Sequence, residues 1–148
     1  MAKASDNTRQ LESELIRNLD GEVKFDNYSK ILYSTDASIY QMEPVGVVIP
    51  RSAEDVLAVV EVARDNAGPV LARAGGTSLA GQTVNHAIVI DFSKYMNRVL
   101  EVNAEEHWAR VQPGIVLEQL NQYLAPFNLQ YAPDPTTTVS YTHLRAHE

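Results

Sequence analysis

Apolar positions along the chain repeat with two periods, and the changes from one period to the other mark out the elements. Leu11, Leu15, Ile16 and Leu19 fall at helical spacing, so residues 6–19 are expected to form an amphipathic helix, with Gly21 following where helices usually stop. A second short helix is expected in "DNYSKILYS", and "STDASIYQMEP" (34–44) reads as a loop. "VGVVI" (45–49) is a short buried strand closed by Pro50. Ser52 is placed to cap the next helix, with Asp55 three residues on in a capping-box position. In that helix Val56, Val59, Val60 and Ala63 are expected to form the apolar stripe, and Gly68-Pro69 ends it. "PVLARA" (69–74) is the next strand, which makes a β–α–β unit whose strands run parallel. "AIVID" (87–91) is a third strand, and "RVLEVN" with "WARVQP" is expected to form a hairpin around "NAEEH". Val116, Leu117, Leu120 and Leu124 predict a helix over about 115–125, stopped by Pro126, and "LQYAPDPTTT" is extended. The fold class expected is α+β with an α/β-like β–α–β start.

Composition narrows the class. With 148 residues and 45% hydrophobic content the chain suffices for one domain with a modest core. Its formal charge of -7 argues against nucleic acid and anionic membranes as partners. The absence of cysteine removes disulfides, thiolate-held zinc, iron–sulfur ligation and thiol catalysis from this chain. The start, "MAKASDNTRQLESEL", has no apolar core of a secretory signal, and no apolar run is long enough to span a bilayer. These features point to a soluble, cytoplasmic protein with no transmembrane segment.

The strands "PVLARA" and "AIVID" are joined by "RAGGTSLAGQT" (73–83), which holds three of the seven glycines. Adjacent glycines open backbone conformations closed to other residues and let N–H groups converge on an anion. Thr77, Ser78, Gln82 and Thr83 add polar groups. "GTSLAGQT" lacks the lysine of a nucleotidase P-loop, with Gln82 in its place, and the helix that should follow is missing. The dinucleotide pattern G-x-G-x-x-G does not occur. The other candidates carry plainer readings. His86 and His107 have no partner at metal-ligand spacing and are expected at the surface, as is Glu105-Glu106. Tyr28, Tyr33, Tyr40 and Trp108 are expected to pack.

"PVGVVIPRSAEDVLAVVEVARDNAGPVLARAGGTSLAGQT", "VIDFSKYMNRVLEVN", "RVQPGIVLEQLN" and "PDPTT" resemble, in this order, the start of the FAD-binding domain of FAD-linked oxidases of the p-cresol methylhydroxylase and vanillyl-alcohol oxidase type. The branch most similar is that of the glycolate oxidase subunit, D-lactate dehydrogenase and D-2-hydroxyglutarate dehydrogenase. The UDP-N-acetylmuramate reductase type is a lesser alternative. The resemblance implies that Arg73, Ala74, Gly75, Gly76, Thr77, Ser78, Gly81 and Gln82 wrap the FAD pyrophosphate. It also implies that Pro113-Gly114 borders the cofactor and that Pro133, Asp134, Pro135 and Thr136 lie against the flavin. Ala74 departs from the glycine common among relatives. Where some branches attach FAD to a histidine, this chain has Thr77 and Ser78, so FAD is expected to be non-covalent.

The activity implied is oxidation of a small-molecule 2-hydroxy acid by hydride transfer to flavin, with catalytic groups beyond residue 148 and the electron acceptor left open. "YSTDASIYQMEP" resembles the lead-in of members that carry an iron–sulfur half later in the chain, so an iron–sulfur cluster is expected in a C-terminal region of the parent. Residues 1–39 would be an N-terminal helical extension and 40–138 the first part of the FAD-binding domain. The fragment by itself is expected to be inactive. A stand-alone FAD- or phosphate-binding module and a truncated fragment without function are the alternatives. "VSYTHLRAHE" (139–148) is the translation of one reading frame of a common transposon-type sequencing adapter, so those residues are expected to be non-native.

Overall fold

The computed structural model describes residues 2–133. Its elements, in order, are α1 (Ala2–Asn18), β1 (Glu22–Lys24), α2 (Asn27–Leu32), β2 (Gly46–Ile49), α3 (Ala53–Asp65), β3 (Val70–Arg73), β4 (Ile88–Asp91), β5 (Val99–Asn103), β6 (Trp108–Val111) and α4 (Leu117–Leu124), followed by a 3₁₀ turn over Ala125–Phe127. The expected tail 139–148 lies outside the described residues.

Four strands form one sheet in the order β1-β2-β4-β3. β2 and β3 run parallel, as the helical crossover requires, but they are not neighbours. β4 inserts between them and is parallel to both. β1, which the sequence pattern did not mark, pairs antiparallel with β2. Its three residues are all half-buried, so it shows no alternation to read.

The sheet is covered on both faces. Val48, Ile88 and Ile90 face α1 and α3, and meet Leu11, Leu15, Val59, Val62 and Ala63. Val47, Ile49 and Val89 point to the other side, where Leu71 of β3 packs beside them and Tyr33 and Tyr95 pack against them. Two-sided cover explains why β2 and β4 read as unbroken apolar runs. Residues 1–39, expected as an extension, thus place Leu11 and Leu15 in the same core as the sheet.

Two expected stripes are rotated. On α3 the buried positions are Asp55, Val59, Val62 and Ala63, while Val60 is exposed. On α1 Ile16 is exposed and Leu15 is fully buried. The α1–α3 contact sets this rotation, and Asn66 Nδ2 fixes it by donating to Glu14 Oε2 at 2.8 Å. The cap on α3 forms as expected, Ser52 Oγ accepting from Asp55 N–H at 3.3 Å. The buried Asp55 carboxylate reaches further back than a capping box. It accepts from Arg51 N–H at 2.8 Å and from Asp20 N–H at 2.9 Å, so it also pins the α1–β1 turn. At the other end the left-handed residue is Ala67, φ 50°, and Gly68 N–H donates to Ala63 C=O at 2.8 Å.

β5 and β6 form the expected hairpin, with an irregularity between Val99 and Glu101. Its apolar side meets α4 across a groove lined by Trp108, Val111, Leu120, Leu124 and Tyr131.

Candidate functional site

Residues 74–87 leave the carboxyl end of β3 and return to the amino end of β4, which lies beside β3 and is parallel to it. A parallel neighbour demands a crossover of a dozen or more residues. Here that crossover contains no helix, and it carries the glycine loop across the carboxyl edge of the sheet, where open α/β sheets place their ligands.

Backbone geometry decides which glycines matter. Gly76 has φ 65° and Gly81 φ 76°, a region that side chains strain to adopt. A Cβ on Gly76 would also lie 2.5 Å from Arg73 Nη2, and one on Gly81 would lie 2.7 Å from the Tyr40 ring. Ala74 has no positive φ, so the alanine there carries no backbone strain. Among the described residues no acceptor takes the N–H groups of Gly75, Gly76, Thr77, Ser78 or Leu79. Such a run of unused donors suits a diphosphate.

The polar side chains of the loop bond back onto the loop itself. Ser78 Oγ accepts from Gln82 N–H at 3.1 Å and from Ala80 N–H at 3.3 Å, and it donates to Gln82 Oε1. Arg73 folds back under its own loop. Nη1 donates to Tyr33 C=O at 3.4 Å and Thr83 C=O at 3.3 Å, and the guanidinium lies 5.2 Å from the Tyr33 ring centroid. Arg73, Ser78 and Gln82 therefore shape the loop, and they leave the N–H groups of Gly75 to Leu79 unengaged.

Behind the loop, Tyr33 Oη donates to the buried Asp91 at 2.5 Å. Burial, joined by that carboxylate, pushes the Tyr33 hydroxyl above its ordinary value, so it stays a protonated donor. The segment 34–42 lies along the loop. Ala37 N–H donates to Gly76 C=O at 3.0 Å, and Thr83 Oγ1 donates to Asp36 Oδ2 at 2.9 Å. Burial raises the Asp36 carboxyl, but hydrogen bonds from Ser38 and Thr83 outweigh it and hold the group below the usual carboxylate value.

The Pro113-Gly114 turn reaches the same strand end through Phe92. Phe92 N–H donates to Arg73 C=O at 3.0 Å, while a Cβ on Gly114 would sit 2.2 Å from Phe92 C=O. Gly114 N–H donates to Met96 C=O at 2.8 Å. Pro133 is exposed, two residues past Tyr131, whose N–H donates to Asn121 Oδ1 on α4 at 2.8 Å. Asp134, Pro135 and Thr136 lie outside the described residues.

Several side chains expected to pack do so only in part. Tyr28 is 72% exposed, Tyr40 is 55% exposed, and Trp108 stands at the surface with Nε1 donating to Glu106 Oε2 at 2.7 Å. His86 and His107 are at the surface, and no group of three or more His, Asp or Glu among the described residues is arranged to hold a metal ion. No helix among them is long and apolar enough to cross a membrane. Asp36 and Asp91 escaped the sequence reading. Their signals were a "TDAS" cluster in a loop and an acidic residue ending an apolar strand.

Solved structures share this fold. A 4-ethylphenol oxidase from Gulosibacter chungangensis superposes with a TM-score of 0.79 at 24% identity, over 91% of this chain and 28% of that one. A p-cresol methylhydroxylase gives a TM-score of 0.71 at 20% identity, over 84% of this chain and 25% of that one. Among sequences, a D-2-hydroxyglutarate dehydrogenase of Escherichia coli (strain K12) is 44% identical over 112 residues, 74% of this chain. A glycolate oxidase subunit GlcD of Bacillus subtilis (strain 168) is 31% identical over 135 residues, 88% of this chain. The chain spans 11% of the first protein's length and 28% of the second's. The sequence pattern of the FAD binding domain matches residues 44–142, a stretch that holds the glycine loop and the Pro113-Gly114 turn. By that match the chain belongs to the FAD-binding domain family, with the fold of the p-cresol methylhydroxylase-type oxidases.

Proposed function

We propose that this chain is the N-terminal part of an FAD-dependent oxidoreductase that oxidises a small 2-hydroxy acid. The supporting observation is the row of unused backbone donors from Gly75 to Leu79, set at the carboxyl edge of a parallel sheet within an FAD-binding domain. The pyrophosphate would accept from those N–H groups, with Gly76 giving the backbone turn that aims them. When bound, the flavin supplies the hydride acceptor. The residues of this chain would hold and orient it. The 2-hydroxy acid class rests on likeness to relatives named D-2-hydroxyglutarate dehydrogenase and glycolate oxidase subunit. The division at residues 40 and 138, a cytoplasmic location and an iron–sulfur half later in the parent belong to the same reading.

Gly76→Val in the full-length parent is expected to abolish flavin retention, because the new side chain meets both the positive φ and the Arg73 guanidinium. A purified variant with a full flavin absorbance spectrum overturns the assignment. Thr77 and Ser78 offer no imidazole for a flavin bond, so FAD is expected to be dissociable. Acid precipitation should leave a yellow supernatant over a colourless pellet, and a yellow, fluorescent pellet would contradict it.

A further inference from the structure

The segment 34–42 is a small structure closed upon itself. Thr35 bridges Gln41, Met42 N–H donates to Ser34 C=O at 2.9 Å, and Gln41 Nε2 donates to Ser34 Oγ at 3.3 Å. Within it Ser38 N–H donates to Asp36 Oδ1 at 2.8 Å, and Tyr40 N–H donates to Ser38 Oγ at 3.1 Å. These internal bonds give the segment a shape of its own, and one side of it matches the glycine loop at three points. Asp36 Oδ2 takes the Thr83 hydroxyl, Ala37 N–H takes the Gly76 carbonyl, and the Tyr40 ring fills the space beside Gly81. The two glycines contacted are the two with positive φ, so the segment meets the loop where its backbone is least constrained by itself. The ends of the loop are tied separately by Arg73, bound to Tyr33 and Thr83 carbonyls.

We propose that segment 34–42 is a template that preshapes the glycine loop for the flavin diphosphate, with Asp36 as its positioning residue acting through Thr83. This rests on the loop being the diphosphate site, as proposed above. A flexible loop must lose its conformational freedom when it closes on a ligand, and a template that orders it beforehand removes this cost from binding. Asp36 suits the task because both of its oxygens are engaged, one inside the template and one on the loop, across 47 residues of sequence.

The test measures FAD affinity of the apo full-length parent by flavin fluorescence quenching, beside the melting temperature of the same apo protein. Thr83→Val keeps the shape of the side chain and removes the donor. It should raise the FAD Kd at least about tenfold while lowering apo melting by no more than a few degrees. Thr83→Ser keeps the hydroxyl and should hold the Kd within about twofold of wild type. Asp36→Ala, which also removes the bond from Ser38 N–H, should weaken binding at least as much as Thr83→Val, and the double variant should be no worse than Asp36→Ala alone, because the bond between the two side chains is already gone in either single variant. Wild-type affinity in Thr83→Val, an equal loss in Thr83→Ser, or additive losses in the double variant overturn the template. If the wild-type parent itself binds no FAD, the assignment of the loop falls as well. If wild type binds and the variants bind as tightly, only the template falls.

Discussion

Strands β4 and β6 each have four residues, and they live in opposite surroundings. β4, "IVID", is buried at every position, because it pairs on both sides and is covered on both faces. β6, "WARV", alternates exposed and half-buried residues in a two-stranded hairpin. The contrast extends to their neighbourhoods. Around β4 the core is closed by α1, α3 and Tyr33. Around β6 the apolar side opens on a groove of about 300 Å³ between the hairpin and α4. A lone hairpin is marginal in water, so this unit depends on what packs against it. The glycine loop hangs from the closed region, at Arg73 and Ile88, and the diphosphate site proposed there would gain a defined shape from that anchor.

Matched truncations test the contrast most directly. Leu15 is fully buried, and Leu15→Ala should cost about 2–5 kcal/mol in denaturant unfolding. Leu100, 56% exposed at the hairpin irregularity, should cost less than about 0.5 kcal/mol on the same change. Equal losses at the two sites would erase the distinction between the regions.

Acid should act on the closed region through Glu22. Hydrogen bonds from Lys94, then Tyr95 and Lys24, lower its pKa from 4.5 to about 2. A carboxyl lowered on folding stabilises the protein above its unfolded value and loses that contribution as pH falls through the folded one. The stabilisation should fade between pH 4.5 and about 2, and after solvent screening it amounts to about 1 kcal/mol. Glu22→Gln should flatten that part of the stability–pH curve. An unchanged curve would show that the Glu22 contacts contribute nothing.

The smallest effect is a gain. Ala67 holds a left-handed conformation at the end of α3, so Ala67→Gly should raise stability by about 0.5–1 kcal/mol, read as a higher Tm. A lower Tm would mean that the alanine methyl makes a compensating contact.

Local order was legible where one neighbour decides it. Ser52 capping α3, the hairpin around "NAEEH" and the apolar run of β4 all follow from short-range pattern. The rotation of α3 was not legible, because Val60 and Val62 are equally apolar and only contact with α1 selects Val62 for the core. Strand β1 escaped for a related reason, since its half-buried "EVK" forms a strand by pairing with β2 and not by its own pattern. Of the candidate site, Gly76 and Gly81 stand out in the sequence as glycines, while the bonds from Arg73 to the Tyr33 and Thr83 carbonyls, 40 and 10 residues away, came only with the fold.

The sequence by itself determined where the chain bends and which strands are buried, because glycine, proline and apolar periodicity act on nearest neighbours. It also determined that the loop 73–83 has a backbone free enough to surround an anion. Only the tertiary structure decided that β4 lies between β2 and β3, and that the loop must therefore cross the carboxyl edge of the sheet. It alone set Asp36 against Thr83 and Tyr33 against Asp91, pairs 47 and 58 residues apart. Such partners come together only once the sheet has formed, so nothing in either local stretch records the other.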